Sequence, residues 1–166
     1  MDQVELWMVA RVLVAALLGA IIGVQRESRG KAAGLRTNAL ITVGSALFGV
    51  LSVTVVPHNQ GDPSRIASAV VSGIGFLGGG AILRHEQHVL GLTSAATIWV
   101  DAAIGLSVGV GMYTLAVSVT VVTLFVLEVL PHVENLLGRH MGMANGTNGG
   151  NGNAGPPIGP GAKDVH

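Results

Sequence analysis

The sequence contains no cysteine, and this absence excludes several classes of function. Without thiols there is no disulfide framework, no thiolate metal site and no cysteine nucleophile. Charged residues are also scarce: they make up 11% of the chain, against roughly 25% in a typical soluble domain. The formal net charge is zero, so no basic field favours a nucleic-acid partner. We therefore expect neither a soluble globular domain nor a nucleic-acid-binding protein.

Apolar residues are abundant and occur in long runs. They make up 49% of the chain, which has a mean hydropathy of +0.61. Five apolar stretches are each close to the ~20 residues that a helix needs to cross the hydrocarbon core: 6–24, 35–56, 66–83, 92–108 and 112–130. Continuous runs of this kind lack the alternation of barrel strands, so the segments must be helical. The fold class predicted is all-α, a polytopic integral membrane helical bundle of about five transmembrane helices.

The distribution of basic residues predicts the orientation of the bundle. Lys and Arg are retained in the cytoplasm, near the ends of the spans. One face of the predicted bundle carries only Arg65. The other face carries the rest of the cations outside the spans: Arg26, Arg29, Lys31, Arg36, Arg84, Arg139 and Lys163. The N-terminus is therefore predicted outside and the C-terminus inside.

A change in composition divides the chain into two parts. Residues 1–135 carry all the apolar stretches, whereas 136–166 are rich in Gly, Asn and Pro and have little to bury. Such a segment cannot offset the entropy lost on ordering. We predict a transmembrane domain over 1–135 and a disordered cytoplasmic tail over 136–166.

Two ionisable residues fall well inside predicted spans, away from the span ends, which is costly and makes them candidate site residues. Arg11 lies about two turns into the first span and Asp101 near the middle of the fourth. At these depths the two side chains can approach each other, and we predict an intramembrane pair. The pair would either belong to an ion, proton or substrate site or be a buried pair that fixes helix register; the sequence favours the second alternative slightly.

Glycines interrupt the third span. Each costs about 1 kcal/mol relative to Ala within a helix, so their density needs a reason. Small residues four apart allow close helix packing, which explains the pairs, whereas a run of three favours a local break. The predicted helix break involves Gly73, Gly75, Gly78, Gly79 and Gly80.

Candidate metal ligands and catalytic groups are few. His85 and His88 are spaced i, i+3 in a polar loop, which is weak evidence, so we predict no metal site. No Ser-His-Asp or paired-carboxylate arrangement is visible. We expect a protein that is not an enzyme and needs no cofactor.

Three blocks of sequence carry a resemblance to a known family. They lie at 11–40, 72–83 and 91–105, and in this order they resemble the N-terminal membrane domain of the MgtC/SapB family. The first block contributes the cytoplasmic loop motif Arg26, Glu27, Arg36, Thr37 and Asn38. The last contributes the fourth-helix motif Thr93, Ser94, Thr97 and Trp99.

The resemblance implies a multi-pass protein of the bacterial inner (plasma) membrane, concerned with magnesium homeostasis or virulence physiology. It also implies regulation of a membrane partner, the proton-translocating ATP synthase. Two departures limit what can be carried over. Gln25 stands where the family commonly has Glu, and the Gly-rich tail stands where MgtC has a folded cytoplasmic domain, so the chain resembles the shorter, membrane-domain-only members.

Two functions follow as expectations. The first is a regulator that binds a membrane partner through its helices and cytoplasmic loop. The second is a small cation transporter or channel, for Mg²⁺ or protons, in which Asp101 contacts the ion. Because so short a chain has few helices to enclose a path, transport would require a homo-oligomer. The lipid bilayer is a partner in both cases.

Overall fold

The structure is a computed structural model, and it describes residues 3–55, 62, 64–85 and 88–144. The described residues form five helices and one short hairpin. The helices are α1 (Gln3–Ser28), α2 (Leu35–Thr54), α3 (Ser64–Gly80), α4 (Leu92–Gly109) and α5 (Tyr113–Ala144). Strands β1 (Leu83–His85) and β2 (His88–Leu90) pair antiparallel between α3 and α4, with Leu83 opposite Leu90. The predicted helical fold class is confirmed, and the hairpin is an addition to it.

The membrane character of the helices is also confirmed. Four of the five, α1, α2, α4 and the part of α5 up to Val133, are long and apolar enough to cross a bilayer. The remaining helix, α3, has 17 residues, about 26 Å at 1.5 Å per residue, and is slightly shorter than the hydrocarbon core. The orientation with the N-terminus outside remains a prediction.

A glycine turn separates α4 from α5, between the fourth and fifth predicted spans. Gly111 has φ +91°, a left-handed conformation that is costly for any residue with a side chain. The chain therefore turns between Gly109 and Tyr113 instead of continuing as one long helix. This turn fixes five helices rather than four.

The α1, α2 and α4 helices pack closely through small residues. A Cβ atom at Gly23 would lie 2.6 Å from the Leu35 Cα, and one at Gly49 would lie 3.0 Å from the Gly109 Cα. These distances leave no room for a side chain, so the helix backbones approach directly. Around these contacts lies the larger apolar core: Ala15, Leu18, Ile22, Ala46, Ile104, Val108 and Ala116.

The α3 helix differs from the prediction of a break. It runs without interruption through Gly73 and Gly75 and ends at Gly80, so the three consecutive glycines are its last residues. The Ala81 amide still donates to the Leu77 carbonyl (3.1 Å), and the chain then enters β1. The glycine run thus ends the helix instead of breaking it within the span.

The chain divides into two units, 1–128 and 129–166. Within the second, the described residues are the C-terminal part of α5, which contains Pro131 and ends at Ala144. The helix therefore extends beyond residue 135, where the sequence predicts the tail to start, and this corrects the start of that tail. Residues 145–166 of the predicted tail lie outside the described residues.

Candidate functional site

The Asp101 side chain is the most unusual group in the bundle. It is fully buried in α4, at 0% exposure, and neither carboxylate oxygen has a hydrogen-bond partner among the residues that the structure describes. A buried polar group without a partner costs roughly 1–3 kcal/mol, and more when it is charged. Such a cost needs an explanation, which makes Asp101 the centre of the candidate site.

The predicted pair of Arg11 with Asp101 is not formed. Arg11 instead donates from Nη1 to the Gly109 carbonyl at 2.8 Å, beside the Gly111 turn. The last carbonyls of a helix lack intrahelical partners and carry partial negative charge, so a guanidinium there completes the end of α4. Asp101 lies eight residues earlier, about 12 Å along the helix axis. Sequence reasoning placed both residues in the membrane but misjudged their relative depth.

The cation in the surroundings of Asp101 is Arg26, near the end of α1. Arg26 is 3% exposed and donates from Nη2 to the Ser94 Oγ at 2.7 Å, while its electrostatic field acts on Asp101. Ser94 precedes Asp101 by seven residues, about 10 Å of helix, so the guanidinium does not hydrogen bond to the carboxylate. Arg26, Ser94 and Asp101 together are called the Asp101 cluster below.

The Asp101 cluster joins two motifs that the sequence identified separately. Arg26 belongs to the cytoplasmic loop motif and Ser94 to the fourth-helix motif. A signal for their proximity was present in the sequence, because the predicted topology places the end of the first span and the start of the fourth at the same membrane face. Sequence reasoning did not use this signal to pair them.

The other members of the loop motif shape the connection between α1 and α2. The Glu27 carboxylate accepts from the Leu35 amide (2.8 Å) at the start of α2. The Asn38 side-chain amide donates to the carbonyls of Ala33 (2.9 Å) and Gly34 (2.7 Å), which closes the turn. Both roles are structural. Arg36 and Thr37, by contrast, are exposed on the first turn of α2.

Most buried hydroxyl groups between α2 and α4 are satisfied within their own helix. The Thr42 Oγ1 donates to the Ala39 carbonyl (2.9 Å) and the Thr97 Oγ1 to the Thr93 carbonyl (2.7 Å). These groups need no water or ligand. The buried atoms without partners in the part of the chain that the structure describes include the Asn38 Oδ1, the Arg26 Nε and both Asp101 oxygens.

The remaining predicted site residues lie away from the Asp101 cluster. Thr93 and Trp99 are exposed on α4. His85 and His88 are opposite each other in the hairpin register, and their side chains lie outside the described set. Of the predicted glycines, Gly78 faces Ala95 of α4, whereas added Cβ atoms at the other four would meet nothing within 4 Å: Gly73, Gly75, Gly79 and Gly80.

Comparison with known proteins assigns the chain. The model of the MgtC family matches residues 12–136, most of the sequence. The chain belongs to the MgtC family. The match covers both the loop motif and the fourth-helix motif, so the Asp101 cluster lies within the family's domain. The resemblance identified from the three sequence blocks is thereby confirmed.

Several relatives of this MgtC-family chain are closely similar to it. It is 50% identical over 127 residues to the protein called putative magnesium transporter YhiD of Escherichia coli K12, covering 73% of this chain and 59% of YhiD. It is 47% identical over 116 residues to protein MgtC of Salmonella typhimurium LT2, covering 70% of this chain and 49% of MgtC. The chain thus spans about half the length of the relatives it matches. No solved structure matches it.

A second feature of this MgtC-family chain lies between α2 and α3. An apolar groove of about 880 Å³ separates parts of the two helices. Phe48 and Leu51 line it from α2, and Ile74 and Leu77 line it from α3, with Arg65 at one end. The groove does not include the Asp101 cluster, so the bundle carries two separate candidate sites.

Proposed function

We propose that this MgtC-family protein acts in magnesium-linked homeostasis at the inner membrane by regulating a membrane partner, the proton-translocating ATP synthase, without catalysing a reaction of its own. The observation that supports this proposal is the position of Arg26. Asp101 is the only acidic side chain buried among the described residues, and the positive charge of the Arg26 guanidinium acts on it. A fixed positive charge there opposes entry of Mg²⁺ or another cation to the carboxylate.

The packing of the bundle supports the same proposal. Direct backbone contacts join α1 to α2 and α2 to α4 around the Asp101 cluster, and a side chain at those contacts would clash. A path for a hydrated cation between these helices would require them to separate. The exposed groups of the first cytoplasmic loop, by contrast, are available to a partner; they include Lys31, Arg36 and Thr37.

ATP-driven proton pumping in inverted membrane vesicles tests this proposal. We expect the wild-type chain to reduce pumping, and the double substitution Arg36→Gln with Thr37→Ala to restore most of it, because those side chains are exposed at the predicted cytoplasmic face. Thr114→Ala is the matched control, an exposed threonine in the first turn of α5 at the predicted opposite face. Pumping that is unaffected by the wild-type chain would contradict the proposal.

A second function is favoured by a different observation: in the described part of the chain, the Asp101 oxygens have no hydrogen-bond partner. As an alternative we propose a small oligomeric transporter or channel for Mg²⁺ or protons, in which this carboxylate contacts the ion. The name of YhiD, putative magnesium transporter, agrees with this alternative. Rearrangement of the Arg26 side chain would be needed to admit a cation.

Flux into liposomes separates the two functions. Transport predicts Mg²⁺ or proton flux with the purified wild-type chain, and its loss in Asp101→Asn because the amide cannot carry the charge. Glu5→Gln is the matched control, since this carboxylate is exposed near the start of α1. Absence of flux together with inhibited proton pumping would support the regulator; flux that Asp101→Asn leaves intact would remove Asp101 from the mechanism.

A further inference from the structure

The groove between α2 and α3 is an open apolar space on the flank of the bundle. Gly44 of α2 and Gly73 of α3 both line it, and an added Cβ at either position would meet no atom within 4 Å. Water cannot form hydrogen bonds with such apolar walls, and in a bilayer the groups available to fill the groove are the acyl chains of lipids. The groove is therefore expected to be occupied when the protein is in the membrane.

The length of the groove matches one leaflet of a membrane. Along α3 it extends from Arg65 to Leu77, twelve residues or about 18 Å, and along α2 from Leu51 to Leu40, about 16 Å. One leaflet contributes about half of the ~30 Å hydrocarbon core. A single acyl chain that enters from the Arg65 side therefore has the right length to lie along the groove.

Among the described residues that line the groove, Arg65 is the one with a charged side chain, and it lies at the end formed by the start of α3. Arg65 is exposed there and lines the groove; its guanidinium makes no hydrogen bond or salt bridge to a described residue, although its charge acts on the nearby Asp62 carboxylate. Asp62, three residues earlier, is exposed as well and accepts from the Ser64 amide at 2.9 Å. A headgroup with a phosphate and an ammonium group complements this cation and carboxylate, whereas a purely anionic headgroup would be repelled by Asp62.

We propose that the α2–α3 groove is a phospholipid site, which holds one acyl chain of phosphatidylethanolamine with its phosphate on Arg65 and its ammonium group toward Asp62. This proposal goes beyond regulation or transport and is independent of both. A second copy of the chain is the competing occupant, but a transmembrane helix would have to bring an acidic group to Arg65 while filling an apolar groove.

Native mass spectrometry of the detergent-solubilised chain tests the site with equal amounts of phosphatidylethanolamine and phosphatidylglycerol. We expect one phosphatidylethanolamine to remain bound per chain. Gly73→Leu fills the groove and should lower that occupancy at least tenfold. Gly75→Leu is the matched control, because it lies on the same helix in open space but does not line the groove. Arg65→Gln should weaken binding and abolish the preference between headgroups.

Three results would overturn the proposal. Equal lipid occupancy in Gly73→Leu and Gly75→Leu would show that lipid binds elsewhere. A preference for phosphatidylglycerol would contradict the headgroup assignment. A wild-type dimer that Gly73→Leu alone dissociates would identify a second copy as the occupant. Helical content measured by circular dichroism establishes that each variant is folded, and leucine is a better helix former than the glycine it replaces.

Discussion

At the scale of single residues, the half-buried Arg11 and the buried Arg26 are each held by one oxygen acceptor among the described residues. Arg11 binds the Gly109 carbonyl and Arg26 binds the Ser94 hydroxyl, whereas Asp101 binds neither. A guanidinium has five N–H donors, so both arginines keep donors in reserve. The stability of the bundle is therefore expected to depend on the Ser94 hydroxyl, because its loss leaves the Arg26 side chain with no acceptor among the described contacts.

Removing the Ser94 hydroxyl is predicted to destabilise the bundle. In Ser94→Ala the buried Arg26 Nη2 loses its acceptor, and we expect the free energy of unfolding to fall by about 1–3 kcal/mol. Titration with sodium dodecyl sulfate, followed by circular dichroism, measures this change. Ser68→Ala, at an exposed serine of α3, should shift the midpoint little. An unchanged midpoint in Ser94→Ala would mean that Arg26 finds another acceptor.

At the scale of helices, the glycines of this chain have two opposite structural roles. Gly49 and Gly109 allow α2 and α4 to touch, whereas Gly44 and Gly73 leave space open. The sequence alone presents these residues as equivalent, small positions within apolar spans. A glycine becomes a packing contact only when its side of the helix faces a neighbouring helix, and the sequence alone does not show which side that is.

Alanine substitutions at two glycines of α2 should have opposite effects on stability and so distinguish the two roles. Gly49→Ala places a methyl group 2.9 Å from the Leu106 carbonyl oxygen, and we expect it to cost about 1–3 kcal/mol through overpacking. Gly44→Ala meets nothing within 4 Å and should stabilise α2 by up to about 1 kcal/mol through helix propensity. The same detergent titration measures both. Equal shifts of the same sign would refute the packing interpretation.

The start of α3 provides a prediction that depends on pH. Hydrogen bonds from the Ser64 side chain and backbone lower the pKa of the Asp62 carboxyl below its ordinary value. A lowered pKa in the folded state means that the ionised carboxylate stabilises the helix start. This contribution is complete above the unfolded pKa of about 4 and is lost as the pH falls through the lower folded value.

Hydrogen exchange at the Ser64 amide measures this contribution. Asp62→Ala should speed exchange several-fold at pH 7, because the amide loses its acceptor. Below the folded pKa of Asp62 the two proteins should exchange alike, after correction for the intrinsic dependence of exchange on pH. Amides in the middle of α3, such as that of Ile74, serve as the internal control. A difference that persists at low pH would contradict the role assigned to the carboxylate.

At the scale of the whole molecule, the distribution of charge predicts which side of the membrane each loop faces. The basic residues predict that the α1–α2 loop is cytoplasmic and that the start of α3 is outside. The first loop is ordered by hydrogen bonds from Leu35 to Glu27 and from Asn38 to Ala33. These bonds can form on either side of the membrane.

Labelling of single cysteines decides the orientation. The chain has no cysteine, so a single substitution introduces the only reactive thiol. We expect an impermeant maleimide to label Ser64→Cys in intact cells and Ser28→Cys only after the membrane is opened. Both serines are exposed at helix ends, which makes them a matched pair. The reverse pattern would overturn the topology and with it the cytoplasmic assignment of Arg36 and Thr37.

The sequence by itself determined that this protein is a bundle of membrane helices of the MgtC family, because length, apolar content and short motifs are properties of the chain alone. It also singled out Arg26, Ser94 and Asp101. Only the tertiary structure decided that Arg26, and not Arg11, shares the surroundings of Asp101, and that α3 is continuous. The physical reason is that the energy of a buried charge depends on depth and helix rotation, and a difference of seven or eight residues along a helix moves a side chain by about 10 to 12 Å.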